Sequence, residues 1–263
     1  MIDLHCHILP GLDDGPATLD EALAMCRIAA QDGISTIVAT PHFRPGTFQH
    51  ASKRIAEAVV RMNAVNEAQG IPMQILPGAD VTITPELGRY LAEFDHLTIN
   101  MTGRYFLAEF SSDAVPSRWD DFLLSFFEQN RIPIITHPER NRWFLGHRDA
   151  LYPFVQRGGM LQITAMSLTG HAGIEARDFC AFLLRHDLAA VIASDAHNTA
   201  DRPPVLSPGL AVAAGLVGAQ KADAMVKEIP AAILRGDRPA LPEPRYAVTP
   251  RTGKNWLRKL ASW

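Results

Sequence analysis

Seven short apolar runs alternate along this chain with longer helical segments, and that alternation limits the fold more than any other feature. The runs are Ile2–His7, Ser35–Thr40, Met73–Pro77, Arg104–Phe110, Ile132–His137, Met160–Thr164 and Ala189–Ser194. Near-continuous apolarity that gives way to polar residues is the pattern of parallel strands buried on both faces. Between them, Thr18–Gln31, Ser52–Gln69, Trp119–Asn130 and Ile174–His186 read as helices. Thr18 and Glu21 fit a capping box, Gly33 sits just past the first helix, and Gly70 and Pro72 separate the second helix from the third strand. Right-handed β-α crossovers repeated seven times close most economically into a TIM-like (β/α)7 barrel, an α/β fold one unit short of eight. A doubly wound open sheet is the structural rival. With 263 residues and no linker, repeat or low-complexity tract, a single domain over 1–263 is expected.

Composition narrows the function classes. Lys and Arg number 25 against 28 Asp and Glu, a net charge of −3, which lacks the basic face of a nucleic-acid binder. Three cysteines, Cys6, Cys26 and Cys180, form no C-x-x-C pair, which argues against a disulfide framework and for a reducing, cytoplasmic setting. Met1–Pro10 carries no basic residue and no leader-like apolar core, so no signal peptide is expected. The longest apolar run, Gly209–Ala219, falls short of the about 20 residues that cross a bilayer. From about residue 245 the composition changes. Arg245, Arg251, Lys254, Arg258 and Lys259 come with no acid, and Trp256, Leu257, Leu260 and Trp263 suit one stripe of a short helix. Such a tail either packs on the barrel as a solvated helix or offers a basic amphipathic patch to a membrane surface or acidic partner.

Ten histidines direct attention to chemistry. In His5-Cys6-His7, residues i and i+2 of a strand share a face, so both imidazoles converge while Cys6 turns away. Asp195-Ala196-His197 repeats the spacing after another apolar run. His42, Asp80, Glu109 and His137 each end a strand candidate, and Asp14 follows the first. In a parallel barrel those C-terminal ends face one mouth, so all nine residues are expected to converge there. Singly, each has a plain structural explanation: a turn for Asp13-Asp14-Gly15, a helix cap for Asp80, an ion pair for Glu109. Jointly, so many buried acids and imidazoles are costly without a compensating charge, and bridged metal ions supply it. His50, His96, His147, His171 and His186 lie away from strand ends and read as surface or structural residues.

Ile2-Asp3-Leu4-His5-Cys6-His7, Leu12-Asp13-Asp14-Gly15-Pro16, Pro41-His42-Phe43, His137-Pro138-Glu139-Arg140 and Ser194-Asp195-Ala196-His197-Asn198 resemble the PHP (polymerase and histidinol phosphatase) superfamily. Within it they are most similar to the bacterial tyrosine-protein phosphatases of capsule and exopolysaccharide synthesis. The resemblance runs from Met1 to about Pro204 and includes the Asp-Arg-Pro-Pro of residues 201–204. It implies one PHP phosphoesterase domain, a distorted (β/α)7 barrel, holding three divalent metals. Manganese is the usual ion, and mixed His and carboxylate ligands suit Fe, Co or Zn as well. Carried over, His5, His7 and Asp195 would hold one ion, His137 and Glu109 a second, and Asp14, His42 and His197 a third. Asp80 stands where the family usually has Glu, as a bridge between the first two. The implied activity is hydrolysis of phosphotyrosine, by a metal-activated hydroxide, on a bacterial tyrosine kinase of polysaccharide export. Arg140, three residues past a ligand, is the catalytic phosphate fork; Arg202 and Arg44 are candidate substrate-binding residues at the rim. Two alternatives are a small-metabolite phosphatase of the histidinol phosphate kind and a non-catalytic module docking the kinase through the basic C-terminus.

Overall fold

A computed structural model describes residues 1–50, 52–111 and 113–245. The amphipathic stripe expected at the C-terminus, residues 256–263, lies outside the described residues.

Among the described residues the strands are β1 (Ile2–Cys6), β2 (Thr36–Ala39), β3 (His42–Phe43), β4 (Gln74–Pro77), β5 (Asp80–Thr82), β6 (Tyr105–Glu109), β7 (Ile132–Thr136), β8 (Met160–Thr164) and β9 (Val191–Ala193). All seven expected strands are present, and β3 and β5 are additions. Every pairing is parallel, in the orders β1-β2-β4 and β3-β5-β6-β7-β8-β9. The additions are continuations. Pro41, which has no N–H to give a ladder, interrupts one stave between β2 and β3. Gly78 interrupts the next between β4 and β5, where a Cβ would stand 2.6 Å from Val38 Cγ1. Counting each interrupted pair as one stave leaves seven.

The two sheets close into a ring. Cys6 bridges Ala196, the Asp195 amide donates to the His5 carbonyl at 2.8 Å, and the His7 amide donates to the Ala196 carbonyl at 2.9 Å. This closure decides against the open doubly wound sheet. At the opposite end of the seam the Ile2 amide donates to the Val226 carbonyl and the Ile192 amide to the Met225 carbonyl. A stretch of chain thus stands between β1 and β9 there, which is how the barrel is distorted. Buried Asp3 clasps the seam: its carboxylate accepts from the Ser194 hydroxyl at 2.5 Å, the Ser194 amide at 3.0 Å and the His5 amide at 3.3 Å.

Helices cover the staves. The first, Leu19–Gln31, starts on the expected capping box: the Glu21 amide donates to Thr18 Oγ1 and the Thr18 amide to Glu21 Oε2, an arrangement contributing about 1 kcal/mol. It buries Ala22, Leu23, Met25, Cys26 and Ala29, one face at helical spacing. Ser52–Ala68 buries Ile55, Val59, Met62 and Asn66 in the same way, and Ile174–Arg185 presents Phe179, Cys180 and Leu183. The expected helix over Trp119–Asn130 differs. It is α-helical only to Leu124 and continues as a 3-10 turn over Ser125–Gln129, with Asn130 left-handed at its end. No helix among the described residues is long and apolar enough to cross a membrane.

Candidate metal centre

The C-terminal ends of the staves bring together all nine residues singled out as ligands. His5 comes from β1 with His7 just past its end, His42 from β3, Asp80 from β5 and Glu109 from the end of β6. Register explains one contact directly. His42 pairs with Asp80 across the β3-β5 ladder, so their side chains share a face, and His42 Nδ1 lies 3.4 Å from Asp80 Oδ2. His137 follows β7 and Asp195 follows β9; both have left-handed backbones, with φ of 32° and 52°. Such conformations cost about 1–3 kcal/mol and persist only where the surroundings enforce them. They turn the two side chains out of their strands into the mouth.

Four sets of donor atoms gather closely enough to share a cation: His5, His7 and Asp80; His5, His137 and Asp195; His42, Asp80 and Glu109; and His7, Asp14, His42 and His197. Glu109 therefore groups with His42 and Asp80, while His137 groups with His5 and Asp195. Asp80 belongs to two sets. The spacings are informative. His5 Nε2 stands 3.2 Å from His7 Nε2, 3.4 Å from Asp195 Oδ1 and 3.7 Å from Asp80 Oδ2. Asp14 Oδ1 lies 3.5 Å from His42 Nε2 and 3.4 Å from His197 Nε2. Metal–ligand bonds of roughly 2.0–2.2 Å at tetrahedral or right-angle geometry put neighbouring donors about 3.0–3.6 Å apart. His42 Nδ1, Asp80 Oδ2 and His197 Nε2 are buried without an aligned hydrogen-bond partner among the described residues. Buried acceptors at ligand–ligand spacing fit divalent cations better than they fit one another.

Neighbouring side chains fix the imidazoles. His5 Nδ1–H donates to Gln162 Oε1 at 2.9 Å, and His7 Nδ1–H donates to Asp13 Oδ2 at 2.6 Å. Both Nε2 atoms are thereby aimed at the centre, as in other carboxylate- or amide-oriented metal histidines. Asp13 also accepts from the His42 amide at 2.9 Å, and Thr136 Oγ1 donates to Asp80 Oδ1 at 3.3 Å. Asp13, Thr136 and Gln162 were not among the residues expected to serve the site. Gln162 had one visible signal, a polar residue inside the apolar run Met160–Thr164.

Electrostatics follow the crowding. Burial disfavours a charged His7, but its contacts with Asp13 and Asp195 outweigh this and push its pKa up to about 10. Burial depresses His137 to about 4 and lifts Glu109 to about 7, the latter helped by the Asp80 charge. Burial also works against ionising Asp195, yet the adjacent His5 and His7 hold its carboxyl well below the usual range. These are strong perturbations confined to one mouth, as functional sites show.

Above the donors lies a cavity of about 280 Å³ lined by His42, Glu109, Phe110, His137, Asn141 and the two arginines Arg140 and Arg202. Arg140 pairs with Asp195 Oδ2, and Arg202 Nη2 donates to the same oxygen at 2.6 Å. Their side chains remain 35% and 31% exposed, so both keep donors for an incoming anion. Arg140 stands on the turn Pro138–Arg140, tied to β8 through Glu139, whose Oε1 accepts from the Thr164 amide at 2.9 Å. Arg202 is set by Asn198, whose Oδ1 accepts from the amides of Ala200, Asp201 and Arg202. Arg44, at the rim, lies 3.5 Å from Glu109 Oε2. Cys6 is buried with its Sγ 3.9 Å from the Ala196 carbonyl, and burial pushes its thiol pKa well up, the opposite of a nucleophile's needs.

Residues 1–235 match a family described as capsular polysaccharide synthesis, CpsB/CapC. The tyrosine-protein phosphatase YwqE of Bacillus subtilis (strain 168) is 38% identical over 202 residues, 77% of this chain and 79% of that protein. The tyrosine-protein phosphatase CpsB of Streptococcus pneumoniae is 28% identical over 239 residues, 89% of this chain and 98% of its own length. A solved structure from work on YwqE and CpsB, described as unique metal-dependent tyrosine phosphatases, superposes with a TM-score of 0.88 at 33% identity, covering 94% of this chain and 99% of that one. A β-aspartyl dipeptidase from Fervidobacterium islandicum AW-1 matches at a TM-score of 0.55 and 16% identity, a likeness of fold alone.

Proposed function

This chain belongs to the CpsB/CapC family of capsular polysaccharide synthesis and is a metal-dependent tyrosine-protein phosphatase; we propose how its own residues do that work. His5, His7, Asp14, His42, Asp80, Glu109, His137, Asp195 and His197 would hold three divalent ions, manganese first among the candidates. The observation that carries this reading is the spacing of the donors, 3.2–3.5 Å between atoms such as His5 Nε2, His7 Nε2 and Asp195 Oδ1 that compete for one charge. Ions held there would acidify water toward neutral pH and neutralise phosphoryl charge.

Arg140 and Arg202 supply the rest of the anion site. Both guanidiniums meet at one carboxylate oxygen of Asp195, which fixes their positions before substrate arrives and leaves their remaining N–H donors for the phosphate oxygens. Planar forks suit that geometry better than point charges. Arg44 guards the rim and steers the anion inward. The leaving group is a phenol of pKa about 10, which departs with less help from a general acid than an alcohol needs.

The substrate is a phosphotyrosine protein, which we take to be the tyrosine kinase that regulates polysaccharide export. A cytoplasmic setting agrees with three buried free thiols, Cys6, Cys26 and Cys180. Residues 1–263 make one phosphoesterase domain.

Phosphate release from a phosphotyrosine peptide tests the assignment, with chelated and Mn-restored samples beside it. Rapid release that chelation abolishes and manganese restores is the expected result. Preference for histidinol phosphate over the peptide by kcat/KM would transfer the site to a small metabolite.

A further inference from the structure

The mouth does not end at the metal cavity. A second hollow of about 350 Å³ adjoins it, lined by Arg44, Thr82, Glu109, Phe110, Ser111 and Asp113 and sharing Glu109 and Phe110 with the first. A third, of about 520 Å³, has walls of Ile83, Pro85, Pro116, Trp119 and Phe122. The three differ in chemistry: anion-binding, mixed charge and apolar. The charged side chains lining it, Arg118 and Asp121, pair with each other at 3.3 Å, so the groove presents no unbalanced charge.

One aromatic contact links the cavity to the groove. Phe110, which lines the first two hollows, packs edge-to-face on Trp119 of the groove, with centroids 5.6 Å apart and an interplanar angle of 89°. Trp119 and Phe110 are each braced in turn by Phe144. Pro85 and Pro116 fix the backbone on either side, because proline locks φ. The groove is therefore preformed, and a ligand spends little ordering it.

We propose that this groove is a specificity subsite that takes an apolar side chain of the substrate polypeptide, a few residues from the phosphotyrosine. The proposal rests on the phosphotyrosine reading of the metal cavity. Proximity argues for this occupant. A protein substrate whose phosphate lies at Arg140 and Arg202 must run its chain out over the rim, and the Trp119 wall of the groove packs directly on Phe110 of that cavity. A small phosphorylated metabolite would not reach it.

The test uses two substrates and two readouts on full-length, Mn-loaded enzyme. One peptide set carries leucine at successive positions on either side of phosphotyrosine, the other glycine, and p-nitrophenyl phosphate reports chemistry alone. Peptide affinity is also read by fluorescence anisotropy on chelated enzyme, where turnover cannot intervene. Leucine at one or two positions is expected to tighten binding and raise kcat/KM roughly tenfold, the scale of one apolar side chain in a pocket. Pro116→Asp, on an exposed loop, and Ile83→Asp should erase that preference while p-nitrophenyl phosphate turnover stays within about twofold. A leucine preference that survives both variants, or no preference at any position, overturns the subsite while leaving the phosphatase intact. A preference in binding with no hydrolysis of any phosphotyrosine substrate would instead uphold the groove and overturn the phosphotyrosine reading.

Discussion

The Nε2 atoms of His5 and His7 face each other at 3.2 Å, while Gln162 engages the other nitrogen of His5 and Asp13 the other nitrogen of His7. The two rings can therefore neither turn away nor exchange tautomers without breaking a buried hydrogen bond. Gln162→Leu removes the acceptor that holds His5. It should weaken manganese binding by about 10–100-fold, read by titration calorimetry, and Gln162→Glu, which keeps an acceptor, should recover most of the loss. Unchanged affinity in Gln162→Leu would show that His5 is aimed by the metal alone.

Arg140 and Arg202 share Asp195 Oδ2 and face the same cavity. Truncating either to alanine should lower kcat/KM for phosphotyrosine peptide by about 10²–10³, the usual loss when one preorganised charge is removed. Arg140→Lys should recover only part of this, since a point charge cannot reproduce the fork. Arg44→Ala should cost no more than about fivefold, because that side chain is 46% exposed and pairs loosely with Glu109. Steady-state kinetics of the four variants separates these outcomes.

His96 predicts an acid-sensitive step in stability unrelated to the metal. It is buried against Phe43 and Phe94, shares a 2.8 Å hydrogen bond with Ser52, and burial, with His50 nearby, presses its pKa to about 4. The unfolded chain takes up this proton near pH 6.5, before the folded one does. Its contribution is therefore complete above pH 6.5 and lost as pH falls toward 4, about 2 kcal/mol of it by pH 5. Urea unfolding of chelated protein at pH 7.5 and pH 5 should show that loss shrink in His96→Gln. An identical pH dependence in the variant would exclude His96 as its source.

At Gly78 a methyl group would collide with Val38 Cγ1 at 2.6 Å and crowd Thr40 Cγ2 at 3.3 Å. Gly78→Ala should destabilise by about 1–3 kcal/mol. Combined with Val38→Ala, it should cost less than the two single changes added together. Strict additivity in the cycle would mean the staves separate to make room.

Much of the architecture was legible because a buried parallel strand leaves a plain trace. Each of the seven apolar runs became a stave, and Glu109, His137 and Asp195 drew notice because they stand where apolar runs stop. Two strands, β3 and β5, escaped notice at two and three residues, too short for any period to register. The 3-10 continuation after Leu124 escaped for a similar reason, since Ser125–Gln129 keeps the apolar rhythm of a helix. Asp13 and Gln162 were illegible in their roles. Asp13 reaches His7 only six positions away but sits in an Asp-Asp-Gly turn that explains it without a site, whereas Gln162 meets His5 across 157 positions of chain. Asp3 is similar, its clasp on Ser194 spanning 191.

That clasp imposes an order of events on biosynthesis. The first ligands, His5 and His7, leave the ribosome almost at once, but their ring closes on Asp195 and His197, and its seam is completed by Met225 and Val226. At about 5–20 residues per second, translation holds these two histidines apart from their partners for roughly 10–40 s. A nascent or truncated chain ending before the last stave lacks Asp195 and His197 and has no closed barrel. Phosphatase activity is thus withheld until nearly all of the barrel has been made, a checkpoint written into the distance between the two ends of one seam.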